Sequence, residues 1–140
     1  MSVIAPQSLT VGAQAEERTY PPLTRTDIVR YAGASGDFTP LHHDQEFAEK
    51  AGYPTVFSIG MYQAGLLAGF AADWLGAENV RRFAARFREQ VWPGDELTCA
   101  GTVSAVEDTA EGRRVDVELE CRRQTGGVAI TATATFVLPA

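Results

Sequence analysis

The sequence predicts an α+β fold in which an antiparallel sheet wraps around one long helix. Three features of its 140 residues carry that prediction. Residues Ser58 to Trp74 give the longest helical pattern. Its large apolar positions (Met61, Leu66, Leu67, Phe70, Trp74) are spread so widely that no face is fully polar, as expected of a helix enclosed by a sheet. Everything after Gly76 reads as strand, in four alternating segments separated by tight-turn signals. Repeats and low-complexity segments are absent, so 1–140 reads as a single domain, long enough to bury a core, with a frayed start over Met1–Pro6.

Arg18 to Leu23 opens as a strand and ends at a turn, because Pro21 and Pro22 cannot donate to a ladder. Thr24 or Thr26 caps a short helix whose apolar face is Ile28, Val29 and Tyr31, and Gly33 ends it. After a loop, Asp44 caps a second short helix, Gln45–Ala51, closed by Gly52 before Pro54. Ser58 is the expected cap of the long helix, which leaves the Gly60 N–H among the unpaired donors of the first turn. Gly60, Gly65 and Gly69 each cost about 1 kcal/mol relative to Ala, which close packing against a curved sheet would offset.

Val80–Val91 then places Phe83, Ala85 and Phe87 on one side and Arg82, Ala84, Arg86 and Arg88 on the other, before the turn Trp92-Pro93-Gly94-Asp95. Glu96–Glu107 aligns Leu97, Cys99, Gly101, Val103 and Ala105, and Arg113–Arg123 aligns Val115, Val117, Leu119 and Cys121. Gly126-Gly127 turns the chain into Val128–Leu138, where Ile130, Ala132, Ala134 and Phe136 alternate with Thr131, Thr133 and Thr135.

Composition narrows the function. The chain is 45% hydrophobic and 21% charged, ordinary for a globular domain. A net charge of −6 without a basic run argues against nucleic acid as a partner. Cys99 and Cys121 have no CxxC or Cys/His companion, so they read as small hydrophobes in a reducing compartment and no metal is implied. The first ten residues have no charged and apolar leader pattern. Ser58–Ala72 contains Gln63 and is shorter than the ~20 residues of a membrane span. A cytoplasmic protein without a membrane partner is expected.

The chemistry-bearing stretch is Tyr31–Met61. Asp37 and His42 share a loop in which Pro40 fixes its own φ and pushes Thr39 toward extended geometry, making a stiff bend that presents an acid and an imidazole together. Imidazole exchanges a proton near its ordinary pKa of ~6.5, and the carboxyl, ordinarily ~3.9, is expected to be raised by an apolar tunnel of Phe38, Phe57 and Met61. Taken singly, such residues are more often a cap and a surface imidazole. Their spacing, followed by a glycine helix entry, reverses the odds. His43 has no required role, and Asp44 is a helix cap.

The run Tyr31-x-Gly33, then Ser35-Gly36-Asp37-Phe38-Thr39-Pro40-Leu41-His42-His43-Asp44, resembles the signature of MaoC-like dehydratases, the (R)-specific enoyl hydratases of the hotdog superfamily. The resemblance continues through Phe47-Ala48, Ala51-Gly52-Tyr53-Pro54 and Phe57-Ser58-Ile59-Gly60-Met61, and the flanks match by pattern. Thr39 stands where the family usually has Asn, and Ile59 where it usually has His.

The resemblance implies a hotdog fold and reversible hydration of trans-2-enoyl thioesters, or dehydration of (3R)-hydroxyacyl thioesters, of CoA or acyl carrier protein in fatty acid or polyketide metabolism. It implies Asp37 and His42 as the catalytic pair, and no cofactor. The Gly60 N–H is the expected oxyanion donor, with Ser58, Thr39, Phe38, Phe57 and Met61 about the substrate. Arg81, Arg82, Arg86 and Arg88 read as an exposed strand face, with contact to carrier phosphates as the lesser expectation. An open sheet edge calls for a homodimer or a heterodimer with a related hotdog subunit. A partner-dependent or non-catalytic subunit and an acyl thioesterase are the competing functions, and retention of both Asp37 and His42 argues against them.

Overall fold

The computed structural model describes residues 8–140, so the expected frayed start lies outside the described part. Its elements are β1 (Arg18–Thr19), α1 (Arg25–Ser35), α2 (Gln45–Lys50), α3 (Gly60–Leu75), β2 (Val80–Phe87), β3 (Leu97–Thr109), β4 (Gly112–Arg123) and β5 (Val128–Leu138). The strands form one five-stranded sheet in the order β1-β3-β4-β5-β2, with every pairing antiparallel. The long α3 lies across one face, so the expected sheet around a helix is what forms.

Strand alternation decides which face is inner. Cys99 and Val103 of β3, Val117, Leu119 and Cys121 of β4, and Ile130, Ala132, Ala134 and Phe136 of β5 are buried. Ala64, Leu67, Phe70, Ala71 and Leu75 of α3 are buried in the same cluster. Each large side chain enclosed there contributes about 1.5–3 kcal/mol. Cys99 and Cys121 stand directly opposite each other as free, buried thiols, as small hydrophobes would.

Several local expectations change. Thr24 caps α1 through a capping box with Asp27, but Gly33 does not end the helix. It continues to Ser35, where Gly36 takes φ 76° and donates its N–H to the Ala32 carbonyl. The buried face of α1 is Ile28 and Ala32, whereas Val29 is exposed. Strand β2 stops at Phe87 and not at Val91. In β3, a bulge between Val103 and Ala105 reverses the alternation, so Ala105 turns outward. Gly65 and Gly69 lie on the exposed flank of α3, where an added Cβ would meet nothing within 4 Å. They do not serve to bring the helix close to the sheet.

One polar group sits at a junction of the fold. Asp95, only 4% exposed, accepts hydrogen bonds from the Trp92 N–H (2.9 Å), Arg123 Nε (2.8 Å) and Gln124 Nε2 (2.8 Å). It thereby ties the turn before β3 to the end of β4. Burial pushes its carboxyl upward, but the hydrogen bonds from Arg123, Trp92 and Gln124 together hold it below the ordinary range. A lowered folded pKa gives stabilisation that is complete above the unfolded value and lost as the pH falls through the folded one. Asp95→Asn is therefore expected to lower unfolding free energy at pH 7 by about 3 kcal/mol. In denaturant titrations the difference from wild type should narrow on acidification, and a constant difference would contradict this role.

Candidate active site

The Asp37–His42 loop is held from both ends. Gly36 closes α1, the Asp37 N–H donates to Ser35 Oγ at 3.3 Å, and Pro40–His42 forms a single 3-10 turn. Asp44 follows as the cap of α2, accepting from the Phe47 N–H at 3.1 Å. The loop is then fastened to the chain entering α3, because the Phe57 N–H donates to the Leu41 carbonyl at 3.3 Å. The Ser58 N–H in turn donates to the Val91 carbonyl at 2.8 Å, anchoring that entering segment beside the sheet.

His42 is fixed more tightly than Asp37. Its Nδ1 is 2.7 Å from the Phe57 carbonyl oxygen, which can only accept, so Nδ1 carries a proton and neutral His42 presents a bare Nε2. The Phe57 ring meets the imidazole edge-on at 5.1 Å and itself packs on Tyr53 and Trp92. Nε2 faces Asp37 Oδ2 at 4.0 Å, too far for a direct hydrogen bond. The imidazole is 11% exposed and the carboxylate 38%.

Asp37 keeps its charge for a local reason. Thr39 donates to Oδ1 twice, from Oγ1 at 2.7 Å and from its backbone N–H at 3.2 Å. These bonds, the hydroxyl's first, hold the Asp37 carboxyl below its ordinary value. The upward shift expected from an apolar tunnel does not occur. Phe38 is 66% exposed and Met61 57%, so no apolar enclosure surrounds the carboxylate. Thr39, standing where the resemblance leads one to expect Asn, orients the acid directly.

Asp37, His42, Phe57, Ser58, Gly60 and Met61 line one cleft of about 460 Å³. Phe38 is not among its lining residues, and Thr39 acts from behind Asp37. Ile59, not Ser58, is the N-cap of α3, and it offers no side-chain hydrogen bond. Ser58 is buried and donates its hydroxyl to Gln63 Oε1 at 2.6 Å. Gly60 is the first helical residue, so its N–H has no intrahelical acceptor and lies at the positive end of a 16-residue helix. A Cβ at Gly60 would come within 2.9 Å of the Phe87 ring, which closes over this turn.

The sequence reading missed Gln63 and Gln90, which also line the cleft; of the four arginines read as an exposed strand face, Arg88 lines it too. For Gln63 the available signal was a carboxamide among the small and apolar residues of the first half of α3. A larger groove of about 690 Å³ lies on the outer face of the sheet, among Arg82, Arg86, Glu118, Glu120 and Thr133. Its charges are mixed, and Asp37 and His42 are not part of it, so the smaller cleft is the candidate site. Among the described residues no group of His, Cys, Asp or Glu side chains is arranged to hold a metal ion, and no helix is long and apolar enough to cross a membrane.

Comparison with known proteins gives a consistent picture. Residues 7–124 match the family model of the MaoC like domain. A mitochondrial 3-hydroxyacyl-[acyl-carrier-protein] dehydratase of Arabidopsis thaliana is 32% identical over 115 residues, covering 81% of this chain and 69% of that protein. An (R)-specific enoyl-CoA hydratase of Aeromonas caviae is 28% identical over 135 residues, or 95% of this chain and 98% of the hydratase. Among solved structures, an (R)-hydratase from A. caviae involved in PHA biosynthesis superposes with a TM-score of 0.83 at 27% identity, covering 95% of this chain and 99% of that one. The ChsH1-ChsH2 complex from Mycobacterium tuberculosis gives 0.80 at 28% identity, covering 92% and 98%. The fold is the hotdog fold of these proteins.

The two Thr39 contacts generate a prediction that needs no substrate. Thr39→Val deletes the shorter bond and keeps the backbone one. The Asp37 carboxyl should then titrate at higher pH than in wild type, read by carbon-detected NMR of the side chain. An unchanged midpoint would show that the hydroxyl does not hold the charge.

Proposed function

Because this chain belongs to the MaoC-like domain family, we propose that it is a hydro-lyase acting on acyl thioesters, and that Asp37 and His42 interconvert a trans-2-enoyl thioester and its (3R)-hydroxyacyl form. The observation that carries the reading is the fixed tautomer of His42 opposite an ionised Asp37, with the free Gly60 N–H in the same cleft. Nε2 and Oδ2 are both acceptors, and a 4.0 Å gap fits one water that donates a hydrogen to each. That water then turns a lone pair toward C3 of the substrate.

In the hydration direction the water oxygen bonds to C3 as His42 Nε2 takes one of its protons. Imidazole is the stronger base of the two, and the ionised Asp37 faces the imidazolium that forms. The C2–C3 π pair shifts toward the thioester, placing negative charge on the carbonyl oxygen, and the Gly60 N–H with the α3 dipole stabilises it there. Collapse of this enolate takes the proton from Nε2 to C2. Water is then fully accounted for, its hydroxyl on C3 and its proton on C2. The (3R) hand and the choice between CoA and carrier-protein thioesters come by likeness to the A. caviae hydratase and the Arabidopsis dehydratase.

The pair is built for proton traffic at a double bond, which favours this reading over thioester hydrolysis. A non-catalytic subunit has no need of a Thr39-held carboxylate and a carbonyl-held imidazole. Among the described residues the outer edge of β2 is unpaired, and Met61 and Phe87 stand exposed at the cleft, which supports assembly with a second hotdog chain, a copy or a related subunit.

Hydration of crotonyl-CoA and of a longer trans-2-enoyl-CoA, followed by loss of enone absorbance, tests the proposal. Asp37→Asn and His42→Ala should each lower kcat/KM by about 10²-fold or more. Wild-type turnover in either would overturn the assignment. The oxyanion role has its own pair of variants. Gly60→Pro removes the N–H at a helix position that tolerates proline, after an Ile59 already extended at ψ 125°. Gly60→Ala adds the Cβ contact with Phe87 but keeps the N–H. The proline variant should lose about 10²–10³ in kcat beyond whatever the alanine variant loses.

A further inference from the structure

Gln63 is 2% exposed and stands one helical turn beyond Gly60 on the same side of α3. Side chains on a helix lean toward its N-terminus, and this one reaches back past the helix start to Ser58. In that 2.6 Å bond the Ser58 hydroxyl is the donor. Ser58 is itself buried, and with no other acceptor for its proton among the described residues, this direction, Ser58 Oγ to Gln63 Oε1, keeps the hydroxyl paired. The amide nitrogen is thereby turned away from Ser58. Neither of its N–H donors has a partner among the described residues, although Gln63 is part of the cleft wall with Asp37, His42 and Gly60.

Among the described residues Arg113 Nε is the buried side-chain donor without a partner, so the unpaired Gln63 nitrogen is not sealed off but open to the cleft, and a ligand that covers it is expected to supply an acceptor. We propose that Gln63 is a substrate-binding residue, its carboxamide N–H donating to the carbonyl oxygen of the acyl thioester as a second donor beside the Gly60 N–H. This rests on the thioester reading above. Ser58 is then a positioning residue that holds the amide with its nitrogen toward the cleft. The arrangement selects for an oxygen at that point of the ligand, because a ligand lacking it leaves a buried N–H without an acceptor.

The test measures binding rather than turnover. Butyryl-pantetheine carries the thioester oxygen, and S-butyl-pantetheine is the same ligand without it. Pantetheine is common to CoA and carrier proteins. Wild type should prefer the thioester in NMR titrations. That preference should fall about fivefold or more in Gln63→Met, which keeps the side chain's length and loses its donors. Equal preference in the two proteins would overturn the role of Gln63 while leaving the thioester reading intact. Failure of wild type to prefer the thioester would overturn the thioester reading and this inference together. A second readout needs no variant: in wild type the Gln63 side-chain amide resonances should move with the thioester and stay in place with the thioether. Equal movement with both ligands would likewise overturn the proposal.

Discussion

Four residues, Val56 to Ile59, hold the site together. All are buried, and they lead into the long helix beside the Asp37–His42 loop. Phe57 receives the loop through its N–H and orients the imidazole through its carbonyl, while the Ser58 N–H clips the segment to the chain that follows β2. The acid/base pair, the cap residue and the first free N–H of α3 are thus referred to one short strip of backbone. Were that strip to shift, His42 and the Gly60 N–H would move together. A site that aligns a proton carrier with a charge stabiliser requires that shared frame.

The two members of the pair are held by different means. His42 is largely enclosed and takes its orientation from a main-chain oxygen and aromatic packing. Asp37 is more open and takes its orientation from the hydroxyl and N–H of a residue two positions on. The imidazole is thereby set as a neutral acceptor, and the carboxylate is kept charged without burial. The same loop therefore presents a neutral imidazole with a bare nitrogen and a carboxylate held charged, the combination that the proposed proton transfer needs.

How much of this could be read in advance depended on whether a residue's role was local. Period-two alternation exposed β3, β4 and β5 because inward positions on a sheet around a helix must be apolar. It failed at the bulge, where one extra residue turns Ala105 outward and nothing in the composition marks the change. The Asp44 cap and the Thr24 capping box were legible, since caps act over three residues. Ser58 was misread because its hydroxyl serves Gln63, a partner that only the folded first turn of α3 brings near. Gly33 was taken as a stop because glycine is a poor helix former, but Gly36 supplies the positive φ that ends α1. Asp37 and His42 were singled out by their spacing, by the glycine helix entry that follows and by the family resemblance. The lowered state of Asp37 was not, because it depends on where Phe38 points and on the rotamer of Thr39.

A base oriented by a peptide carbonyl has a different mutational fate from an acid oriented by a side chain. The acceptor for His42 Nδ1 survives any replacement at position 57 that keeps the backbone path, so sequence drift there acts on packing and spares the tautomer. The hydroxyl that contacts Asp37 has no such protection, because a single codon change at position 39 removes it. Over evolutionary time the imidazole's setting is therefore the robust half of this site. The carboxylate's surroundings are the half through which the acidity of the pair can be retuned without rebuilding the fold.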